Sequence, residues 1–164
     1  MVALLKNEPN ESLILSWVGI NDCARDDDFS SHMSDLSELH DELYDAGARN
    51  FVFVDVPPMQ RIPSMSSISE RLAPTYRGWN LELQAMVEEL RDRHEDASVL
   101  IWSSYDCFNC VLDDPKRFGF EEEDPKKEGG GIWFDNIHPS AAVHSIVARE
   151  LMKFLEEAEA RKKW

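Results

Sequence analysis

Short apolar runs alternate with longer amphipathic segments along this chain, and that alternation restricts the fold more than any other feature of the sequence. The apolar runs are of strand length and cover residues 12–18, 51–56 and 98–102. Between them, apolar residues recur three and four positions apart, as on one face of a helix. Parallel strands need crossover connections of this kind. The pattern therefore predicts an α/β fold of three layers, α/β/α, with a parallel sheet.

Apolar spacing and end signals place the helices between these runs. The helices are predicted over residues 29–46, 75–94 and 105–112, and from Pro139 onward. Gly47 suits the C-terminal end of the first helix, and proline suits the first position of the last one. The near-continuous apolar character of residues 12–18 predicts a strand that is covered on both faces.

Length and charge restrict the class of protein. With 164 residues the chain can bury a core, and we expect a single domain over residues 1–164. The sequence has 32 acidic against 17 basic residues, a net charge of −15, which repels phosphate backbones and anionic lipid. We therefore expect no nucleic-acid partner. We expect no membrane span, because no apolar stretch is long enough to cross a bilayer. We also expect no signal peptide, because the first residues include charged side chains and lack the apolar centre of such a peptide.

The only close pair of cysteines is Cys107 and Cys110, and it leaves two interpretations open. A thioredoxin-like redox pair would place its first cysteine at a helix start after a strand, and this position fits loosely. A local disulfide or two ordinary thiols is the plainer interpretation. The strand that precedes a thioredoxin-like cysteine pair comes early in its fold, whereas residues 98–102 come late in this chain.

Two polar motifs stand where a parallel sheet places its ligands, beyond the carboxyl ends of strands. Asn21 and Asp22 follow the first apolar run, and Asp135 and His138 come just before the last helix. The first motif offers an amide that could hold an oxyanion, and the second offers a carboxylate and an imidazole three residues apart. The plainer interpretation of the second motif is a helix cap beside a surface histidine.

These motifs resemble blocks of the SGNH or GDSL hydrolases. The segment Trp17-Val18-Gly19-Ile20-Asn21-Asp22 is similar to the family's third block, and Asp135-x-x-His138-Pro139 is similar to its fifth. Residues 47–58 and 129–135 resemble the secreted fungal acetylesterase-like branch. The resemblance implies a flavodoxin-like SGNH fold and an ester hydrolase that acts on small esters or acetylated carbohydrates without a cofactor or a metal.

Roles for individual residues follow from the resemblance alone. It implies that His138 is the general base for a serine nucleophile and that Asp135 orients the imidazole. It implies that the Asn21 side chain donates to the oxyanion. Trp133, beside Asp135, belongs either to the core or to the wall of an acyl or glycan pocket. Family members are usually secreted, and the compartment of this chain stays open.

The chain departs from the family pattern at the nucleophile. The Gly-Asp-Ser block is absent, and Ser16, Ser103 and Ser104 stand in no comparable motif. We therefore expect a fold without its first strands, inactive alone, and the alternative is a catalytically dead remnant that acts in binding. The missing strand would lie beside residues 12–18, so we also expect an open sheet edge there and self-association through it.

Overall fold

A three-stranded sheet organises the fold in the computed structural model, which describes residues 12–25 and 28–162. The strands are β1 (Leu13–Trp17), β2 (Asn50–Val54) and β3 (Ser98–Trp102), in the order β1-β2-β3. Strands β1 and β2 pair in parallel, with Leu13 opposite Asn50 and Trp17 opposite Val54. The predicted α/β class with a parallel sheet is confirmed. The expected absence of a signal peptide falls on residues outside the described part.

Helices separate the strands as predicted. They are α1 (Ser30–Asp45), α2 (Ser69–Arg93), α3 (Ser104–Asp113) and α4 (Ala141–Lys162). Short 3₁₀ turns cover Met59–Arg61, Pro63–Ile68, Pro115–Phe118 and Asp124–Lys126. In the described part of the chain, no helix combines the length and the apolar character needed to cross a membrane.

Two helix starts differ from the prediction. Helix α2 begins at Ser69 rather than at residue 75, and Pro74 lies inside it. Pro74 is the sixth residue of this helix, so it removes the backbone N–H that would donate to the Glu70 carbonyl, and the helix continues past it without that one hydrogen bond. Helix α4 begins at Ala141 rather than at Pro139, because Pro139 pairs with Trp133 in an antiparallel bridge. Ser140 occupies the capping position, where its Oγ accepts from the Val143 backbone N–H at 3.4 Å.

Contacts divide the chain into two compact units. The first unit comprises Met1–Asp55 and Gly78–Ile101, and the second comprises Val56–Arg77 and Trp102–Trp164. A single domain over residues 1–164 stays a prediction. The largest fully buried side chains of the first unit include Phe29, Phe51, Phe53, Trp79, Leu83 and Leu90. Those of the second unit include Ile62, Ile132 and Trp133.

Strand β1 is an edge of this sheet, and one of its faces is open. Leu13, Leu15 and Trp17 are 49%, 46% and 37% exposed, whereas Ile14 and Ser16, which point to the other face, are half-buried. The prediction that this strand is covered on both faces was wrong, since the described residues cover one face only. The predicted edge position agrees with the strand order.

Gly19, two residues after β1, is fixed by close packing against Trp79. Its φ of 113° lies in the left-handed region, and a Cβ built on it would overlap the Trp79 indole. That indole is 2% exposed and meets the Phe29 ring edge-on, with the centroids 5.2 Å apart. The Gly19 carbonyl accepts from the Cys23 backbone N–H at 3.0 Å, which closes the turn that carries Asn21.

Replacing Gly19 by alanine should therefore destabilise the protein through two separate effects. The left-handed φ and the overlap with Trp79 together should lower the free energy of unfolding by about 3 kcal/mol. Gly119 is the matched control, because its φ is 85° but a Cβ there has nothing within 4 Å. Gly119→Ala should cost only about 1 kcal/mol. Urea unfolding measures both losses, and equal losses would mean that the Trp79 contact contributes nothing.

Candidate active site

Asp135 and His138 form a hydrogen-bonded dyad in the second unit. The His138 Nδ1–H donates to Asp135 Oδ2 at 2.8 Å, because a carboxylate can only accept. The other carboxylate oxygen, Oδ1, accepts from the backbone N–H groups of His138 and Ile137, at 2.7 Å and 2.8 Å. Asp135 therefore shapes its own turn and fixes the imidazole tautomer, so that Nε2 has its lone pair available.

Backbone hydrogen bonds close the turn around the dyad. The Phe134 N–H donates to the His138 carbonyl at 2.8 Å, and the Ser140 N–H donates to the Ile132 carbonyl at 2.8 Å. The Ser140 hydroxyl also donates to the Gly131 carbonyl, at 2.6 Å. The dyad thus lies on a short hairpin that leads directly into α4.

The glycine run that precedes the hairpin accommodates a buried carboxylate. Asp124 is 5% exposed, and its Oδ2 accepts from the Glu121 backbone N–H at 3.0 Å. A Cβ at Gly130 or Gly131 would come within 2.6 or 2.7 Å of the Asp124 carboxylate oxygens. The absence of side chains at these glycines therefore lets the chain pass closely over Asp124. This contact anchors the start of the hairpin.

The dyad is accessible to solvent and already carries its charge. The side chain of His138 is 70% exposed and that of Asp135 is 37% exposed. Hydrogen bonds from the backbone and ring of His138, and then from the Ile137 backbone, lower the pKa of Asp135 to about 2. Asp135 is therefore ionised near neutral pH, which suits it to orienting a general base.

Phe134, and not Trp133, presents an aromatic ring to solvent beside the dyad. Trp133 is 2% exposed, and its Nε1 donates to the Pro125 carbonyl at 3.0 Å. The structure therefore assigns Trp133 to the core, and the pocket-wall interpretation was wrong. Phe134 and Ile137 are 76% and 41% exposed. They flank the dyad along the hairpin, and sequence reasoning did not single them out.

Asn21 lies in the first unit, exposed in the turn after β1. Next to it, Asp22 Oδ1 lies 3.8 Å from His32 Nε2. Within the described residues, the buried nitrogens His32 Nδ1 and Trp79 Nε1 have no hydrogen-bond partner. Asn21 and the dyad belong to different units. Whether Asn21 acts with the dyad stays a prediction.

The cysteines do not have the properties of a thioredoxin-like pair. Cys107 and Cys110 are both free thiols. Burial, followed by the charge of Glu150, raises the pKa of Cys107 to about 11, whereas a reactive redox thiol has a depressed pKa. In the part of the chain that the structure describes, no three histidine, cysteine or carboxylate side chains come together as metal ligands would.

Comparisons with known proteins point to one family. The family model for GDSL-like lipase/acylhydrolase matches residues 2–151. An acetylesterase of Thermothelomyces thermophilus is 30% identical over 149 residues, which cover 81% of this chain and 49% of the relative. A GDSL esterase/lipase of Arabidopsis thaliana is 25% identical over 146 residues, with 70% and 40% covered. The chain thus spans about half the length, or less, of these curated relatives.

The hydrogen bonds of the dyad predict how Asp135 titrates. In a ¹³C NMR titration, the Asp135 carboxyl should have its midpoint at about 2, against an ordinary pKa of 3.8. In His138→Ala the midpoint should rise only part of the way, because the two backbone donors remain. His144→Ala, an exposed histidine on α4, should leave the midpoint unchanged. A midpoint that stays at about 2 in His138→Ala would mean that the imidazole does not stabilise the carboxylate.

Proposed function

The chain belongs to the GDSL-like lipase/acylhydrolase family, and from that membership we propose that it carries the acid–base half of an ester-hydrolase site. The observation that carries the proposal is the His138–Asp135 hydrogen bond of 2.8 Å on an exposed, closed hairpin. The imidazole has one nitrogen held by a carboxylate and the other available to a nucleophile. That arrangement is the one used by serine hydrolases to activate their hydroxyl.

The proposed reaction assigns one role to each of the three residues. His138 Nε2 takes the proton from a serine hydroxyl as the oxygen attacks the ester carbonyl, and later returns it to the leaving alcohol. Asp135, ionised at neutral pH, stabilises the imidazolium that forms in between. The Asn21 amide donates to the oxyanion of the tetrahedral intermediate, a contribution of about 3 kcal/mol when the charge develops only in the transition state.

We propose that the serine comes from polypeptide outside the described residues. Within them, no serine hydroxyl is hydrogen-bonded to His138. Ser16 is bonded to His40 instead, Ser103 caps α3 by accepting from the Asp106 backbone N–H, and Ser104 is fully buried. In this proposal the chain alone hydrolyses esters no faster than a variant without His138.

The proposed substrate is a small ester, with acetylated carbohydrate as the favoured class. The acetylesterase name of the Thermothelomyces thermophilus relative supports an acetyl group. The exposed Phe134 and Ile137 offer an apolar surface beside His138, against which the acyl part or a sugar face can pack. Nucleic acid is not a proposed partner, because the net charge of −15 opposes it.

The alternative proposal is a binding protein that keeps the family's hairpin without its chemistry. The same exposed dyad and apolar pair would then hold an ester or a sugar without turnover. The two proposals differ in what happens when the serine block is restored.

Hydrolysis of p-nitrophenyl acetate tests the hydrolase proposal. The wild-type chain and His138→Ala should give equal turnover, because removing a nucleophile abolishes most of the rate. A chimera joins this chain to the part of the Thermothelomyces thermophilus acetylesterase that precedes the matched region, where the family pattern expects the serine block. The chimera should gain turnover that His138→Ala abolishes and that Asn21→Ala lowers by about 10²-fold.

Three other outcomes would correct the proposal. Turnover by the chain alone that disappears in His138→Ala would place a nucleophile within these residues. A folded chimera without His138-dependent turnover would favour the binding protein instead. A chimera whose turnover needs His138 but not Asn21 would remove Asn21 from the oxyanion site.

We also propose that the chain self-associates through β1. Residues 12–18 contain no charged side chain in a chain of net charge −15, and they present exposed leucines and a tryptophan on the open face of an edge strand. Open, uncharged edges favour pairing with another strand. The proposed partner is a second copy of the chain, because two copies of the same edge can pair about a two-fold axis.

Light scattering at micromolar concentration should therefore report a dimer or a larger species. Leu15→Lys should shift the protein to monomer, because a charge on the open face opposes pairing. Leu81→Lys is the matched control, since Leu81 is a 66% exposed leucine on helix α2 rather than on β1. A monomeric wild type, or equal dissociation by both variants, would contradict this proposal.

A further inference from the structure

A serine and a histidine also form a hydrogen bond in the first unit, between β1 and α1. Ser16 Oγ lies 2.9 Å from His40 Nε2, and His40 Nδ1 lies 2.7 Å from the Leu36 carbonyl oxygen. A carbonyl can only accept, so Nδ1 carries the proton and Nε2 has the lone pair. The Ser16 hydroxyl therefore donates to His40. This is the hydrogen-bond direction of a nucleophile and its general base.

The packing around His40 holds the ring in that orientation. His40 is 3% exposed, and its ring centroid lies 5.7 Å from that of Phe51 and 4.5 Å from that of Phe53 on β2. Burial lowers the pKa of His40 from its ordinary value of 6.5, an effect that the Leu36 carbonyl and the neighbouring charge of Asp41 oppose. The imidazole is therefore neutral at pH 7 and able to accept a proton.

Ser16 is partly exposed and lies on the edge strand of the sheet. It is half-buried rather than enclosed, and β1 has β2 as its one neighbour in the sheet order. Because Ser16 is only partly exposed, the proposed acyl group is a small one.

We propose that Ser16 is a second acyl-accepting nucleophile, activated by His40, that takes a small acyl group from an activated ester. Ser16 Oγ forms a bond to the ester carbonyl carbon while its proton passes to His40 Nε2. The bond from that carbon to the leaving oxygen then breaks, and the leaving alcohol takes the proton from Nε2. Attack by water, with the same proton transfers, releases the carboxylic acid and restores Ser16.

This site has its own residues and goes beyond the proposed role of the His138–Asp135 dyad. The two sites share no residue, and the orienting group differs, since a backbone carbonyl at Leu36 replaces the carboxylate. A neutral carbonyl stabilises an imidazolium less than a carboxylate does. The expected turnover is therefore slow. With an activated ester the leaving group departs readily, so attack of water on the acyl-serine is the slow step and the acyl-serine should accumulate enough to be detected.

Mass spectrometry of the acylated protein tests the proposal. Wild-type chain incubated with p-nitrophenyl acetate and then digested should carry one acetyl group on the peptide that contains Ser16. Ser16→Ala should abolish this adduct, and His40→Gln should slow its formation at least tenfold while its side-chain oxygen still accepts the Ser16 hydrogen bond. Ser145→Ala, which removes an exposed hydroxyl bonded to the Ala141 carbonyl, should leave it unchanged.

The pH dependence of Ser16 acetylation can be measured on the wild-type chain, so this second test does not depend on a variant that folds. The rate of Ser16 acetylation should be constant from pH 7 to 9, because His40 is neutral throughout that range. Asp41 is the charged group beside His40, and Phe51, Phe53 and Ser16 face the ring from the strands. Acetylation driven by hydroxide would instead rise tenfold per pH unit. That rise would overturn the proposal. An unlabelled Ser16, or an unchanged acetylation rate in a folded His40→Gln variant, would also overturn it. None of these outcomes would affect the proposed role of His138.

Discussion

The candidate acid–base site on the hairpin depends on the single carboxylate of Asp135. Its two oxygens accept three hydrogen bonds, two from backbone N–H groups and one from the ring of His138. The carboxylate that holds the turn together therefore also determines the imidazole tautomer. The shape of the hairpin and the reactivity of its histidine thus depend on the same group. The glycines over Asp124 and the bridge between Trp133 and Pro139 hold this turn in place.

Much of the fold follows from local patterns in the sequence. Periodicity located the three strands and the order of the helices, because apolar spacing reports directly which face of a segment is buried. It placed the starts of α2 and α4 wrongly, since α2 continues through Pro74 and since Pro139 pairs with Trp133 across the hairpin instead of starting the helix. The open face of β1 also escaped prediction, because an apolar run does not reveal how many layers cover it.

The candidate site shows the same division between local and distant information. The spacing of Asp135 and His138 is local, and the structure brings the two side chains together as that spacing implied. The hydrogen bond of Ser16 to His40 depends on residues far apart in the sequence, and the burial of Trp133 and the exposure of Phe134 depend on how the hairpin packs, which the residue types alone do not reveal. No spacing rule joins positions 24 residues apart on a strand and a helix, so that pair was found only in the structure.

The packing of Gly19 against the Trp79 indole has a consequence for how these positions can change. A side chain at position 19 would overlap the ring, so the identity of position 19 is conditional on the residue at position 79. A smaller residue at position 79 would relieve the overlap but leave a cavity, and only a paired replacement fills the space again. Positions 19 and 79 are therefore epistatic, and a library that varies the turn around Asn21 must vary helix α2 with it.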